Sequence, residues 1–100
     1  MFSHVVIFWT DPEQPNAAKD LMDGAHKYLK DIPGADHFHV GYMATSERPV
    51  VDQSYQVALN IVFKDKATQD AYQIHPDHVK FVEEVFKKVV TKVVVYDFGG

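Results

Sequence analysis

The sequence contains no cysteine. Disulfides, thiolate zinc sites and cysteine nucleophiles are excluded together, and a reducing compartment fits. Positive charge is scarce: ten Lys and Arg stand against fourteen Asp and Glu, for a formal net charge of −4. Those ten are scattered, so no basic stripe offers itself to a nucleic acid. No apolar run approaches the ~20 residues that span a bilayer. The first residues alternate instead of leading from a basic region into an apolar block, so no signal peptide is read. The five glycines build neither a phosphate loop nor a Gly-x-Ser-x-Gly elbow. These absences predict a soluble, cytoplasmic domain with no nucleic-acid or membrane partner and no nucleotide or flavin cofactor.

What is present fits one globular domain over residues 1–100, with 46% hydrophobic and 24% charged residues. Phe2 to Thr10 reads as a strand. Phe2, His4, Val6 and Phe8 share one face, and Val5, Ile7 and Trp9 the other. Both faces are apolar, so both need cover. Ala18, Leu21, Met22, Ala25, Leu29 and Ile32 recur at helical spacing, which predicts a helix over about 14–31. Gly24 within it marks close packing, and Pro33-Gly34 stops it. A second strand is expected over 35–43, with His37 and His39 opposite Phe38, Val40 and Tyr42. A polar loop follows over 44–53. The alternation of Tyr55, Val57, Leu59, Ile61 and Phe63 then predicts a strand over 54–64.

Asp65 suits the cap of a short helix over about 66–74. Pro76 interrupts it, and a second helix restarts there and runs to about 88. Its stripe is Phe81, Val82, Val85, Phe86 and Val89. The last strand is expected over 91–98. The order is βαββαβ, an α+β fold with a four-stranded antiparallel sheet and helices on one side. The other side is too apolar for water, which predicts a homodimer made by packing two sheets face to face around a barrel-like core.

The chemistry-bearing stretch is Tyr72-Gln73-Ile74-His75-Pro76-Asp77-His78. An imidazole takes protons near neutral pH, and a phenol can donate to a developing enolate oxygen. The proline break is expected to swing His78 back towards Tyr72. The plainer alternative has His75 capping the restarted helix while Tyr72 and His78 fix the helix pair on the sheet. Adjacent first and last strands would put Asp97 beside His4, either to orient its ring at a pocket floor or simply as a satisfied polar pair. His37 and His39, two apart on a strand, can act as metal ligands across a dimer or as rim contacts. Phe8, Phe38, Tyr42, Phe63, Phe81 and Phe86 are candidates for an apolar pocket or for plain core packing.

The opening Phe2-Ser3-His4-Val5-Val6-Ile7-Phe8, the turn Ile32-Pro33-Gly34, the strand Tyr55-Gln56-Val57-Ala58-Leu59, the Tyr72–His78 segment and the closing Val94-Val95-Tyr96-Asp97-Phe98 together resemble the Dabb family of stress-responsive dimeric α/β barrel domains. The resemblance covers nearly the whole chain. It implies a ferredoxin-like monomer, a homodimer through the sheet face, and a stress-related or small-molecule-binding role of unassigned activity. A plant polyketide cyclase of that family implies an acid–base pair at Tyr72 and His78 and a pocket histidine at His4. A second pocket histidine of that enzyme falls at Val57 here. The expected pocket is therefore Val6, Phe8, Phe38, Val57, Leu59, His75, Phe81, Val93, Val95 and Asp97 around Tyr72, His78 and His4. Three readings stand: a protein binding a small apolar molecule between helices and sheet, a cofactor-free cyclase, isomerase or lyase, and a structural or assembly protein without a ligand. The enzyme reading asks for a cavity of a few hundred Å³, on the order of the ~300–1,000 Å³ common for ligand sites.

Overall fold

A computed structural model describes residues 1–100. Strand β1 spans Phe2–Thr10, helix α1 Ala17–Tyr28, strand β2 Ala35–Tyr42 and strand β3 Val57–Phe63. Helices α2 (Lys66–Gln73) and α3 (Pro76–Phe81) follow, then a π-helical segment Val82–Phe86, the short α4 (Lys87–Val89) and strand β4 (Val90–Gly99). The sheet order is β2-β3-β1-β4, with every pairing antiparallel. This is the ferredoxin-like α+β arrangement expected from the element order.

Register decides which face each side chain takes. Val6 stands between Leu59 and Val95, and His4 between Ile61 and Asp97. The core thus collects Val6, Phe8, Val40, Val57, Leu59, Ile61 and Phe63 from the sheet, all buried. From α1 and the turn after it come Ala17, Leu21, Ala25, Leu29 and Ile32. Each fully buried Leu or Ile contributes roughly 1.5–3 kcal/mol. A bulge at Asp36 lets Ala35 pair with Phe63 while His37 pairs with Val62, so His37 and His39 turn to the outer face with Asn60. Gly34 follows Pro33 with φ of 103°, a conformation L side chains rarely adopt.

Several boundaries differ from the sequence reading, among them the end of the first helix, at Tyr28 and not near 31. The first helix begins at Ala17, not near 14, because residues 11–16 form a turn. The Gln14 side-chain amide donates to Asp11 and to the carbonyl of Lys88 there. The third strand begins at Val57; the preceding Gln56 keeps backbone bonds to Phe8 and Met43, and its side chain accepts from the Thr10 amide at 2.8 Å. The second helix of the pair does not run evenly to 88. It widens into the π turn, closed by a bond from the Lys87 amide to the Val82 carbonyl. The widened turn divides the stripe: Val82 and Phe86 face the sheet side, and Val85 faces α1. A sequence pattern read at 3.6 residues per turn cannot show such an insertion.

The outer face of the sheet carries Val5, Ile7 and Trp9 beside Val94, Tyr96 and Phe98. Tyr96 and Phe98 are 58% and 59% exposed.

Candidate functional site

Strand order places the site. The helices cover β2, β3 and β1 more fully than the edge strand β4, whose inward Val93 and Val95 are 38% and 47% exposed. A cavity of about 180 Å³ lies there, between β1 and β4 below and the α2–α3 break and π segment above. Its apolar wall includes Val6, Phe8, Leu29, Leu59, Phe81 and Phe86, with Val93 and Val95 on the open side. That volume is below the expected few hundred Å³. It suits one ring with a short substituent, given that a ~150 Å³ cavity admits benzene.

The polar end is made by the break itself. His75 is the N-cap of α3, and its Nδ1 accepts from the Asp77 amide at 3.0 Å. With Pro76 at the first helical position, the chain turns and returns His78 to Tyr72, ring centroids 5.0 Å apart. Tyr72 is 1% exposed. Its ring is flanked by Phe63 at 5.2 Å and His4 at 6.0 Å. His4, 5% exposed, holds Asp97 Oδ1 at 2.6 Å through Nδ1. In the neutral ring this fixes the proton on Nδ1 and leaves Nε2 as the acceptor. Gln73 Nε2 lies 3.3 Å from His78 Nε2 and donates to it.

The Tyr72 hydroxyl and His4 Nε2 have no partner within the chain. Neither is sealed off, since no enclosed side-chain nitrogen or oxygen is left unpaired. Both residues line the cavity, so these atoms open on it. Burial raises the Tyr72 pKa well above the usual phenol range, which keeps the hydroxyl protonated. Burial, and next the nearness of the His4 imidazole, lowers the His78 pKa below its ordinary value of 6.5. His78 is therefore a neutral imidazole at neutral pH. The arrangement supplies a neutral donor, a neutral base and a carboxylate-anchored histidine at one end of an apolar hollow.

Of the expected pocket residues, His4, Val6, Phe8, Leu59, Tyr72, His78, Phe81, Val93 and Val95 line the cavity. Four do not. Phe38 lies on β2, at the far edge of the sheet, against the His26 ring. Val57 is sealed in the core with no exposure. His75 is used as the helix cap, and Asp97 stands behind His4 rather than on the wall. Among the other aromatics, Phe63 packs on Tyr72 and Tyr42 is exposed, so neither reaches the hollow. Leu29, Gln73 and Val82 are lining residues that the sequence reading missed. Leu29 and Val82 belong to the apolar stripes already read, and Gln73 lies inside the singled-out segment. His37 and His39 lie exposed on the outer face, and no group of three or more His, Cys, Asp or Glu is placed to hold a metal. No helix is long and apolar enough to cross a membrane.

Comparison with known proteins agrees with this architecture. The family model described as the stress-responsive A/B barrel domain (Dabb) matches residues 2–99. A Dabb-family protein with a ferredoxin-like fold from Mesorhizobium loti is 28% identical, with 99% of this chain and 95% of that one covered at a TM-score of 0.78. A dimeric ferredoxin-like protein of unknown function from Thermobifida fusca is 18% identical, covers 99% and 90%, and also scores 0.78. The hydroxynitrile lyase of Passiflora edulis is 16% identical, covers 97% and 90%, and scores 0.74. No curated protein sequence matches the chain. The chain belongs to the Dabb family.

Proposed function

We propose that this Dabb-family protein takes a small, mainly apolar molecule with one polar head into the cavity and moves a proton on that head without a cofactor. The observation that carries the reading is the convergence of the free Tyr72 hydroxyl and His4 Nε2 with His78 at one end of a hollow walled by Val, Leu and Phe. His78 acts as the base, since burial holds it neutral. Its accepting nitrogen is the Nε2 that Gln73 donates to at 3.3 Å, so the bound molecule's proton takes the place of that long bond. His78 draws this proton from carbon or oxygen beside the head. Tyr72 donates to the oxygen on which negative charge develops. His4, held by Asp97, positions the head. The Passiflora protein of the same fold is a hydroxynitrile lyase, so this fold can carry an enzyme.

The test uses acetophenone, a one-ring ketone of about the right size, in D2O. His78 would remove an α-proton, Tyr72 would stabilise the enolate oxygen, and return of a deuteron would leave labelled ketone. Exchange above the buffer rate, lost in His78→Ala with the fold intact, is the expected result. Binding without exchange leaves a carrier rather than a catalyst. Neither binding nor exchange, for this ketone or for small phenols, overturns the reading in favour of a structural protein.

The chain works as a cytoplasmic homodimer in this reading. Support comes from the apolar outer sheet face, with Tyr96 and Phe98 more than half exposed, and from the dimeric state of the Thermobifida protein. The lack of cysteine suits a reducing compartment. Capture of a small reactive molecule fits the stress response in the family's name.

A further inference from the structure

Gly24 sits in the middle of α1, buried, where it faces the π segment. A Cβ at this position would stand 2.7 Å from both Cγ atoms of Val85 and 3.1 Å from its Cβ. Val85 is β-branched and stiff about χ1, so a rotamer change gives little relief. The backbone of the segment must move instead. That segment carries Val82 and Phe86, two walls of the cavity, and α1 leads into Leu29, a third. The Gly24–Val85 contact is thus a spacer between two walls, one of which, Val82, also bonds through its backbone N–H to the His78 carbonyl. The π turn makes this work, because it aims Val85 at α1 while Val82 and Phe86 stay on the cavity.

We propose that Gly24, through Val85, sets the width of the cavity and so the size of molecule it admits. This rests on the ligand-binding reading above. Residue 24 is a positioning residue: it touches no ligand, and it holds Val82 and Phe86 at their distance from Leu29. Adding a methyl at 24 spreads α1 and the segment and widens the hollow. Shortening Val85 lets them close and narrows it. Tyr72 and His4 stand on α2 and β1, outside the moving segment, and only His78 is tied to it, through the bond from the Val82 amide to its carbonyl, so the effect falls mainly on size.

The experiment titrates 4-methyl-, 4-ethyl-, 4-propyl- and 4-butylphenol into the wild type, Gly24→Ala, Val85→Ala and the pair. The hydroxyl suits the polar end and the alkyl tail measures the room. Affinity is expected to rise about fourfold per methylene until the cavity is full. The length at which it stops rising moves up in Gly24→Ala, down in Val85→Ala, and returns towards the wild type in the pair. A folded Gly24→Ala with the wild-type cut-off overturns the inference. The methyl and ring resonances of Val82 and Phe86 are followed in the ligand-free proteins as well. They shift in Gly24→Ala and return in the pair, and resonances that stay in place overturn the inference by themselves. Should no phenol bind any variant, the ligand reading falls alone, and these resonances still decide whether residue 24 spaces the walls. If Gly24→Ala does not fold, the comparison is between Val85→Ala and the pair. There the added methyl at 24 must reverse the narrowing, or the inference fails.

Discussion

His4 and Asp97 stand directly opposite each other in the β1–β4 ladder, joined by a 2.6 Å contact between Nδ1 and Oδ1. The histidine is at the cavity floor and the carboxylate at the edge of the sheet. One hydrogen bond therefore ties the ring's tautomer to a side chain that is 42% exposed.

Asp97→Ala should release that tautomer at a modest cost to the fold. Asp97 is part-exposed, but the buried His4 loses its acceptor unless the ring changes tautomer, so the loss of stability is about 1–2 kcal/mol. Nitrogen-15 spectra of the imidazole should show Nε2 as the bare nitrogen in the wild type and a mixture in the variant. Asp97→Asn, whose amide oxygen still accepts, should keep the wild-type pattern. An unchanged pattern in Asp97→Ala would mean the carboxylate does not orient the ring.

Tyr72 separates packing from chemistry. Its hydroxyl has no partner in the chain, so Tyr72→Phe should unfold within about 0.5–1 kcal/mol of the wild type. Tyr72→Ala removes a ring packed on Phe63 and should cost about 3–5 kcal/mol. Urea denaturation measures both. Acetophenone exchange should fall at least tenfold in Tyr72→Phe, about 1.4 kcal/mol of transition-state stabilisation. A large stability loss in Tyr72→Phe would point to a structural hydroxyl instead.

His78 gives the protein a pH dependence of defined sign. Its folded pKa lies below the ordinary 6.5, so between the two values the unfolded chain holds more proton. Its contribution to stability is complete above about 6.5 and is lost as the pH falls through the folded pKa. The urea midpoint should drop between pH 7.5 and pH 5, and by less in His78→Gln. Tyr72 runs the other way: its raised pKa should leave it untitrated in an ultraviolet scan through pH 11.

The outer sheet face predicts an assembly that a single charge breaks. Tyr96→Lys or Phe98→Glu places an ion where an apolar face must be covered, and desolvating it is costly. Either should convert dimer to monomer at micromolar concentration by sedimentation, with the circular dichroism largely kept. A wild type that sediments as a monomer would remove the dimer.

Alternation in Phe2–Thr10 and Tyr55–Phe63 is enough to read two strands and their faces, whereas the first helix ends at Tyr28, short of the 31 that the Pro33-Gly34 signal suggests. Antiparallel neighbours then put Asp97 beside His4 before any coordinates. The misses have separate causes: Val57 is sealed in the sheet core, His75 is spent on capping α3, Asp97 stands behind His4, and Phe38 lies at the wrong edge. Phe38 and Leu29 are equally apolar in the sequence, yet Leu29 lines the cavity and Phe38 does not. That difference comes from β2 lying at one edge of the sheet and β4 at the other.

Local rules at short range therefore determined the strands, the caps, the α2–α3 break at Pro76 and the polar types gathered near it, because each depends only on neighbours along the chain. Tertiary structure alone decided the volume and walls of the hollow, the division of the last helical stripe by the π turn, and the contact of Gly24 with Val85. Those depend on how far the helix layer reaches over the sheet, a distance set by side chains that meet across the fold and not along it.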